Sequence, residues 1–126
     1  MKRGLAWVQA SRLASQSYIF LPILLGQSIW FSQTGKISIL PFVLIQLFGL
    51  FDQLYIVYAN DYADIETDRI NRTPTLYSGG SRVLVEKRLE PEDLKRASWL
   101  MVPLSLSPGV WLPMVFNRIL ILPIMI

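Results

Sequence analysis

Three long apolar segments, separated by more polar ones, dominate the pattern of the chain. Residues 13–31 contain no charged side chain, residues 37–59 contain only Asp52, and residues 97–116 contain none. A transmembrane helix needs about 20 mostly apolar residues, so each segment is long enough to cross a bilayer. The pattern predicts an all-α membrane protein with three transmembrane helices.

Details of this pattern add three expectations. Lys2 and Arg3 precede the first segment as in a signal peptide, but no small-residue cleavage site closes it and a second apolar segment follows directly, which favours a retained helix. The third segment contains three prolines, which neighbouring helices can accommodate in a membrane bundle, so we expect a kinked helix there. Residues 119–126 are apolar again but too short to cross, and they predict the start of a fourth helix.

The amino-acid composition limits the kinds of chemistry that this chain could perform. The 126 residues are 52% hydrophobic and 17% charged, which suits one membrane domain at most. The absence of His and Cys excludes disulfides, imidazole or thiolate metal sites, Cys nucleophiles and His general bases. Carboxylates, Arg, Lys, amides, hydroxyls or a bound cation remain for any chemistry.

The basic residues predict how the chain lies in the membrane. The net charge is +3, which in so apolar a chain indicates membrane topology and no nucleic-acid partner. Only Lys36 lies between the first two segments, whereas seven basic residues lie between the second and third: Arg69, Arg72, Arg82, Lys87, Arg88, Lys95 and Arg96. The positive-inside rule places the N-terminus and the 60–96 loop in the cytoplasm of a bacterial-type inner membrane.

A polar stripe runs along the second segment. On a helix with about 100° per residue, five polar or small residues fall within about 60°: Gln46, Gly49, Gln53, Asn60 and Asp64. Such a stripe faces a bundle interior or a wet cavity in a bilayer, unless the glutamines simply bond neighbouring helices. Asp52 lies off the stripe and needs a partner, a proton or water.

The second segment ends in an acidic motif, NDYADIETD. Asn60, Asp61, Asp64 and Asp68 would bring three carboxylates and one amide oxygen to one helix end. Oxygen ligands of this kind suit Mg²⁺, which takes one or two carboxylates and completes its shell with water and phosphate. The alternative interpretation is a solvated acidic loop with a capping Asp.

The following loop, SGGSR, has the composition of an anion site. Gly79 and Gly80 permit backbone shapes whose N–H groups point at one anion, beside the hydroxyls of Ser78 and Ser81 and the guanidinium of Arg82. A flexible turn with an exposed Arg would look the same in isolation. A cation site next to an anion site predicts a diphosphate ligand.

Pro91, early in LEPEDLKRASWL, predicts the start of a helix that leads into the third apolar segment.

The motif resembles that of the UbiA family of intramembrane aromatic prenyltransferases. Asn60, Asp61, Asp64 and Asp68 match the family's first aspartate-rich motif, N-D-x-x-D-x-x-x-D, at the end of the second helix. The NDYAD start and the SGGSRVL loop look closest to the 1,4-dihydroxy-2-naphthoate (menaquinone-type) branch. The likeness covers about residues 10–116.

The resemblance implies a function and a role for each matched residue. It implies Mg²⁺-dependent transfer of a polyprenyl group from its diphosphate to an aromatic acceptor inside a multi-span helical bundle. Asn60, Asp61, Asp64 and Asp68 would bind Mg²⁺, with Asp61 and Asp64 as the catalytic pair. The diphosphate would be held by basic and hydroxyl side chains: Arg82, Ser81, Arg72 and Arg12.

The chain departs from the family in one respect. The family's second aspartate-rich motif has no counterpart, since no acidic residue follows Asp93. We therefore expect residues 1–126 to form the N-terminal part of the domain, incompetent without a C-terminal half or a partner subunit. The alternative is a non-catalytic small membrane protein whose acidic loop binds a cation or a partner. A CDP-alcohol phosphotransferase is disfavoured because its D-G-x-x-A-R signature is missing.

Overall fold

The chain folds into helices, most of them joined by short connections, and residues 71–90 form the longest link. The computed structural model describes residues 2–73, 75 and 80–116. It comprises α1 (Lys2–Ala10), a 3₁₀ helix (Leu13–Gln16), α2 (Ser17–Thr34), α3 (Ile39–Ala63), α4 (Ile65–Ile70) and α5 (Pro91–Phe116). These described residues contain no β-strand, so the all-α class is confirmed for them. The predicted fourth helix and the loop residues Ser78 and Gly79 lie outside the described residues.

The three long helices follow the predicted apolar segments with shifted ends. α2 begins at Ser17, four residues late, because Arg12 adopts a left-handed conformation (φ 44°) and a 3₁₀ helix intervenes. It ends where Gly35 (φ 63°) donates its N–H to the Phe31 carbonyl at 2.8 Å. α5 begins at Pro91, as predicted, and is one continuous helix across its prolines.

Helix α1 was not predicted from the sequence. Its Ala6 and Ala10 are fully buried, and these small side chains let α1 approach α3 closely. Trp7 packs edge-on against Tyr58 of α3, with ring centroids 5.8 Å apart. The N-terminal segment is therefore part of the fold and not a charged tail.

The buried core lies at one end of the molecule. It joins α1, the last turns of α3, the 81–89 segment and the first turns of α5 through a set of small and apolar side chains: Ala6, Ala10, Val57, Tyr58, Val83, Leu84, Leu89 and Leu94. Arg3 stabilises the same end, since its guanidinium bonds both Asp93 oxygens at 2.9 Å. This core supports the acidic motif that ends α3.

Helix α3 lies centrally, with α5 and α2 packed against it. Gln46 of α3 donates to the Gln27 side chain of α2 at 2.8 Å, and Gln27 donates to the Phe42 carbonyl at 3.0 Å. The interhelical role considered for Gln46 is therefore confirmed. Gly49 is buried against Ile23, whose Cδ1 would lie 2.5 Å from a Cβ at position 49.

Within the described residues, one helix is long and apolar enough to cross a membrane by itself, namely α3. α2 and α5 are long, but their glutamines, serines and prolines dilute the apolar character. The three-span prediction is thus supported for α3 alone. Asp52 is half-buried in α3, and no partner for its carboxylate is found in the described part of the chain.

Away from the core, large apolar side chains face outward. They include Phe20, Leu25, Ile29 and Trp30 on α2, and Trp99, Leu106, Trp111 and Met114 on α5. Water-soluble monomers rarely expose so much contiguous apolar surface, so these faces suit lipid or further helices.

Candidate functional site

The acidic motif is divided by a break in the helix. α3 ends at Ala63, and Asp64 leaves the helical region at φ −92° and ψ 9° before α4 begins. The chain keeps its helical course, because the Asp64 N–H bonds the Asn60 carbonyl and the Asp68 N–H bonds the Asp64 carbonyl, both at 2.8 Å. Asp61 and Asp68 consequently face the core and are buried, whereas Asn60 and Asp64 are exposed.

Asp61 is the most enclosed of these carboxylates. It is 4% exposed and forms an ion pair with Arg12, from the turn before the 3₁₀ helix. The Ser81 backbone N–H lies 3.2 Å from both Asp61 oxygens, and the Ser81 hydroxyl also donates to Asp61. Each Asp61 oxygen therefore has a donor, as a buried charge requires.

Gly80 is the point on which these groups converge. It has φ +66°, and a Cβ built on it would lie 3.1 Å from both Asp61 Oδ1 and Arg12 Nη2. The same position would overlap Asp68 Oδ2. Two carboxylates and one guanidinium thus meet above a residue without a side chain. We call Arg12, Asp61, Asp68, Gly80 and Ser81 the Gly80 cluster.

The two carboxylates of the Gly80 cluster lie close together, which affects the pKa of Asp68. Burial raises the pKa of Asp68, and the charges of Asp61 and Asp64 raise it further, while Arg12 and Arg82 lower it. The raising effects prevail, so the surroundings of Asp68 disfavour the charged form of its carboxyl group. An additional cation near Gly80 would relieve that charge.

The raised pKa of Asp68 makes stability depend on pH. The folded chain retains the Asp68 proton above its ordinary pKa of 3.8, whereas the unfolded chain loses it, so stability falls as pH rises through the raised value. Asp68→Asn should remove that fall and leave the chain more stable than the unaltered one at neutral pH. Unfolding followed by circular dichroism in detergent and a metal chelator, from pH 4 to 8, measures this. Equal pH slopes for both chains would contradict it.

Arg12 is held in an unusual position. Its backbone lies in the left-handed region (φ 44°, ψ 63°), and its side chain is 28% exposed. Nη2 binds Asp61, but the Nε–H is buried without a hydrogen-bond partner. The guanidinium therefore satisfies Asp61 without being fully satisfied itself.

The other predicted anion-binding arginines lie at or beyond the edge of the cluster. Arg82 also has positive φ (62°), and its Nη1 lies 3.5 Å from the carbonyl oxygens of Asp68 and Asn71. Arg72 is exposed on the loop. Of the four predicted diphosphate ligands, Arg12 and Ser81 are in the cluster, Arg82 borders it, and Arg72 is outside it.

Two residues that position the cluster were missed in the sequence. Gln9 of α1 donates to the Ser81 carbonyl at 2.7 Å, and Arg88 donates to the Gln9 side chain. Gln9 thereby ties α1 to the loop that carries Gly80. No local pattern marks Gln9, because its partner lies 72 residues away. Gln9 could have been identified only by predicting that α1 is a helix packed against the end of α3.

The acidic side chains of the described residues restrict the kind of metal site that this chain can form. In residues 2–73, 75 and 80–116, no group of three or more acidic side chains converges as a metal cage would require. Two carboxylates, Asp61 and Asp68, do converge, which is the number that Mg²⁺ usually takes from a protein. Comparison of the chain with protein-family models, curated proteins and solved structures finds no match to any of them.

Proposed function

We propose that this chain supplies a magnesium- and diphosphate-binding half-site of a membrane prenyltransferase. The reaction is transfer of a polyprenyl group from its diphosphate to an aromatic acceptor. The observation that carries the proposal is the convergence of Asp61, Asp68 and Arg12 on Gly80, with the Ser81 donors alongside. Carboxylates for a cation and donors for an anion meet there within a few ångströms.

The residues present fit Mg²⁺ by their chemistry. Asp61 and Asp68 would hold the ion, and water and phosphate oxygens would complete its shell. Gly80 lets both carboxylates approach the backbone closely, since a Cβ there would overlap Asp68 Oδ2. Asn60 and Asp64 lie on the exposed side of the same helix end and are the remaining proposed ligands from the aspartate-rich motif.

In the proposed reaction, bound Mg²⁺ would neutralise charge that develops on the departing diphosphate. The chain's own groups bind and orient that diphosphate. Arg12 and the Ser81 hydroxyl and N–H are donors suited to phosphate oxygens, and Arg82 approaches from the edge. Asp61 is proposed as a catalytic carboxylate through the ion that it would hold with Asp68, and Asp64, on the exposed side of the helix end, is proposed as the second catalytic carboxylate. The second aspartate-rich cluster of such enzymes is not among these 126 residues, so the proposal concerns binding and activation of one substrate.

The proposed location is an inner membrane with the Gly80 cluster at its cytoplasmic face. α3 is apolar enough to span, and the outward apolar faces of α2 and α5 suit lipid or further helices of the same bundle. The basic residues around 60–96 favour cytoplasmic placement of the N-terminus and this loop.

A different class of function is favoured by the exposed acidic residues. Asn60, Asp64 and Glu66 face outward, where they would bind a divalent cation or a basic partner without any diphosphate. A small membrane protein that binds cations or a partner subunit is therefore the second candidate.

Limited proteolysis distinguishes the two candidates. Trypsin should cleave at Arg69 and Arg72, which are exposed. The prenyltransferase proposal predicts that Mg²⁺ together with a polyprenyl diphosphate slows this cleavage about tenfold or more, and that neither does so alone. The measurement is the rate of loss of intact chain in detergent micelles.

Two variants make the proteolysis experiment specific. Asp68→Asn should lose the protection, whereas Glu90→Gln, at an exposed acid outside the cluster, should retain it. Protection by any divalent ion without the diphosphate would reject the prenyltransferase proposal and support the second candidate.

A further inference from the structure

The Asp61 carboxylate already has a cation, and that cation is Arg12. The ion pair is largely enclosed, with 3% of the Asp61 side chain and 28% of the Arg12 side chain exposed. Arg12 Nη2 lies 3.1 Å from the position of a Cβ on Gly80, the same point that both carboxylates approach. The guanidinium therefore stands where the proposed Mg²⁺ would bind.

Arg12 and Mg²⁺ exclude each other at this carboxylate. An ion bound to Asp61 would bring two positive charges together in a poorly hydrated place, where their repulsion is large. Displacement of Arg12 by the metal alone would leave a partly buried guanidinium without an anion, which is costly. A metal ion alone is thus opposed by the residue that neutralises the site.

Diphosphate removes that obstacle. It arrives with negative charge and several acceptor oxygens, and an arginine released from Asp61 can pair with them through two parallel hydrogen bonds. The Nε–H of Arg12, buried here without a partner, is the donor that such a two-point contact would use.

We propose that Arg12 is a displaceable substitute for the metal, which makes the site accept Mg²⁺ and diphosphate together and disfavours Mg²⁺ alone. Arg12 holds Asp61 until the metal–diphosphate pair arrives, and then turns to the phosphate. This inference rests on the proposed function, because it assigns a binding order to the same site.

The backbone of Arg12 fits this role. Its left-handed conformation lies between α1 and the 3₁₀ helix, and the backbone is held there because the Arg12 N–H bonds the Gln9 carbonyl at 3.1 Å and the Ser15 N–H bonds the Arg12 carbonyl at 2.7 Å. A residue in such a junction can redirect its side chain without moving either helix. α1 stays anchored through Gln9, which bonds the Ser81 carbonyl independently of Arg12.

The test is a pair of titrations of the whole chain in detergent micelles. Affinity for Mn²⁺ alone is measured by loss of the free-ion paramagnetic resonance signal, and affinity for preformed Mg²⁺–pyrophosphate is measured by calorimetry. The Arg12→Gln protein should bind Mn²⁺ about tenfold more tightly, because the competing guanidinium is gone. It should bind Mg²⁺–pyrophosphate about tenfold more weakly, because one charge-assisted hydrogen bond to the phosphate is lost. Arg69→Gln, at an exposed arginine paired with exposed Glu66, should change neither affinity.

Opposite changes in the two affinities would identify the proposed exchange of Arg12 for the metal ion at Asp61. The inference is overturned if Arg12→Gln lowers both affinities or leaves the Mn²⁺ affinity unchanged. In that case the proposed function still stands, provided that the unaltered chain binds Mg²⁺–pyrophosphate. Failure of the unaltered chain to bind Mg²⁺–pyrophosphate would reject both. If Arg12→Gln does not fold, Arg12→Lys gives the same test, with a smaller shift expected in each direction. The unaltered chain provides a further check, since it must bind Mg²⁺–pyrophosphate at least about tenfold more tightly than Mg²⁺ alone.

Discussion

Asp61→Ala is expected to lower the free energy of unfolding by about 3 kcal/mol. The substitution leaves the Arg12 guanidinium partly buried without its anion, and it leaves the Ser81 hydroxyl and N–H without their acceptor. Loss of one partner from a buried pair costs more than the pair contributes, because the remaining charge stays desolvated.

Chemical unfolding followed by helical circular dichroism in micelles measures this loss. Asp64→Ala is the matched control, because Asp64 belongs to the same motif but is exposed, and its effect should stay within about 0.5 kcal/mol. Asp61→Ala made in an Arg12→Gln background should cost clearly less than it does alone, since the unpaired cation is gone. Equal losses for Asp61→Ala and Asp64→Ala would show that the enclosed ion pair does not form in solution.

Gly80→Ala is the second large effect that we expect, at about 2 kcal/mol. Part of the cost is the backbone, since φ +66° is unfavourable for a residue with a Cβ. The rest is crowding, because the new methyl group would overlap Asp68 Oδ2 and press on Asp61 and Arg12. The loop must then move away from the carboxylates and take the Ser81 donors with it.

Gly35→Ala separates the two contributions. Gly35 has nearly the same φ, +63°, but nothing lies within 4 Å of a Cβ built on it. It should therefore show the backbone cost alone, about 1 kcal/mol. The difference between the two midpoints of chemical unfolding measures the crowding at the cluster. If the two substitutions cost the same, the carboxylates do not pack against Gly80.

The helices of this fold could be predicted because their causes are local. Apolar segments of sufficient length gave α2, α3 and α5, and Pro91 marked the start of α5 correctly. The Gln46 contact also followed from local reasoning, since an amide in an apolar segment needs a partner. Among the helices of the described residues, only α3 is long and apolar enough to cross a membrane by length and composition, whereas α2 and α5 are not.

The projection of the polar stripe did not identify which acidic residues are buried. It placed Asn60 and Asp64 on the stripe, whereas the structure buries Asp61 and Asp68. The inward face continues from Gln53 and Val57 to Asp61, so Asn60 and Asp64 turn outward. Asp61 and Asp68 are seven residues apart, close to two helical turns, so both carboxylates lie on that inward face.

Long-range pairing accounts for the rest of what the sequence did not reveal. Arg12 and Asp61 are separated by 49 positions, and Gln9 and Ser81 by 72. Both contacts depend on α1 folding back against the end of α3, and α1 is too short and too mixed in composition to be recognised by apolar length. Arg12 was expected beside a phosphate, and its pairing with Asp61 was not foreseen.

The one-sided core has a consequence for molecular recognition. Val83, Leu84 and Leu89 lie in the same segment as Gly80 and Ser81, so the donors that face Asp61 are mounted on the best-packed part of the chain. Local opening is rarest where buried apolar contacts are densest. A ligand that binds above Gly80 and displaces Arg12 therefore meets Ser81 donors that are already fixed in place, and little of its interaction energy is consumed in ordering residues 80–89.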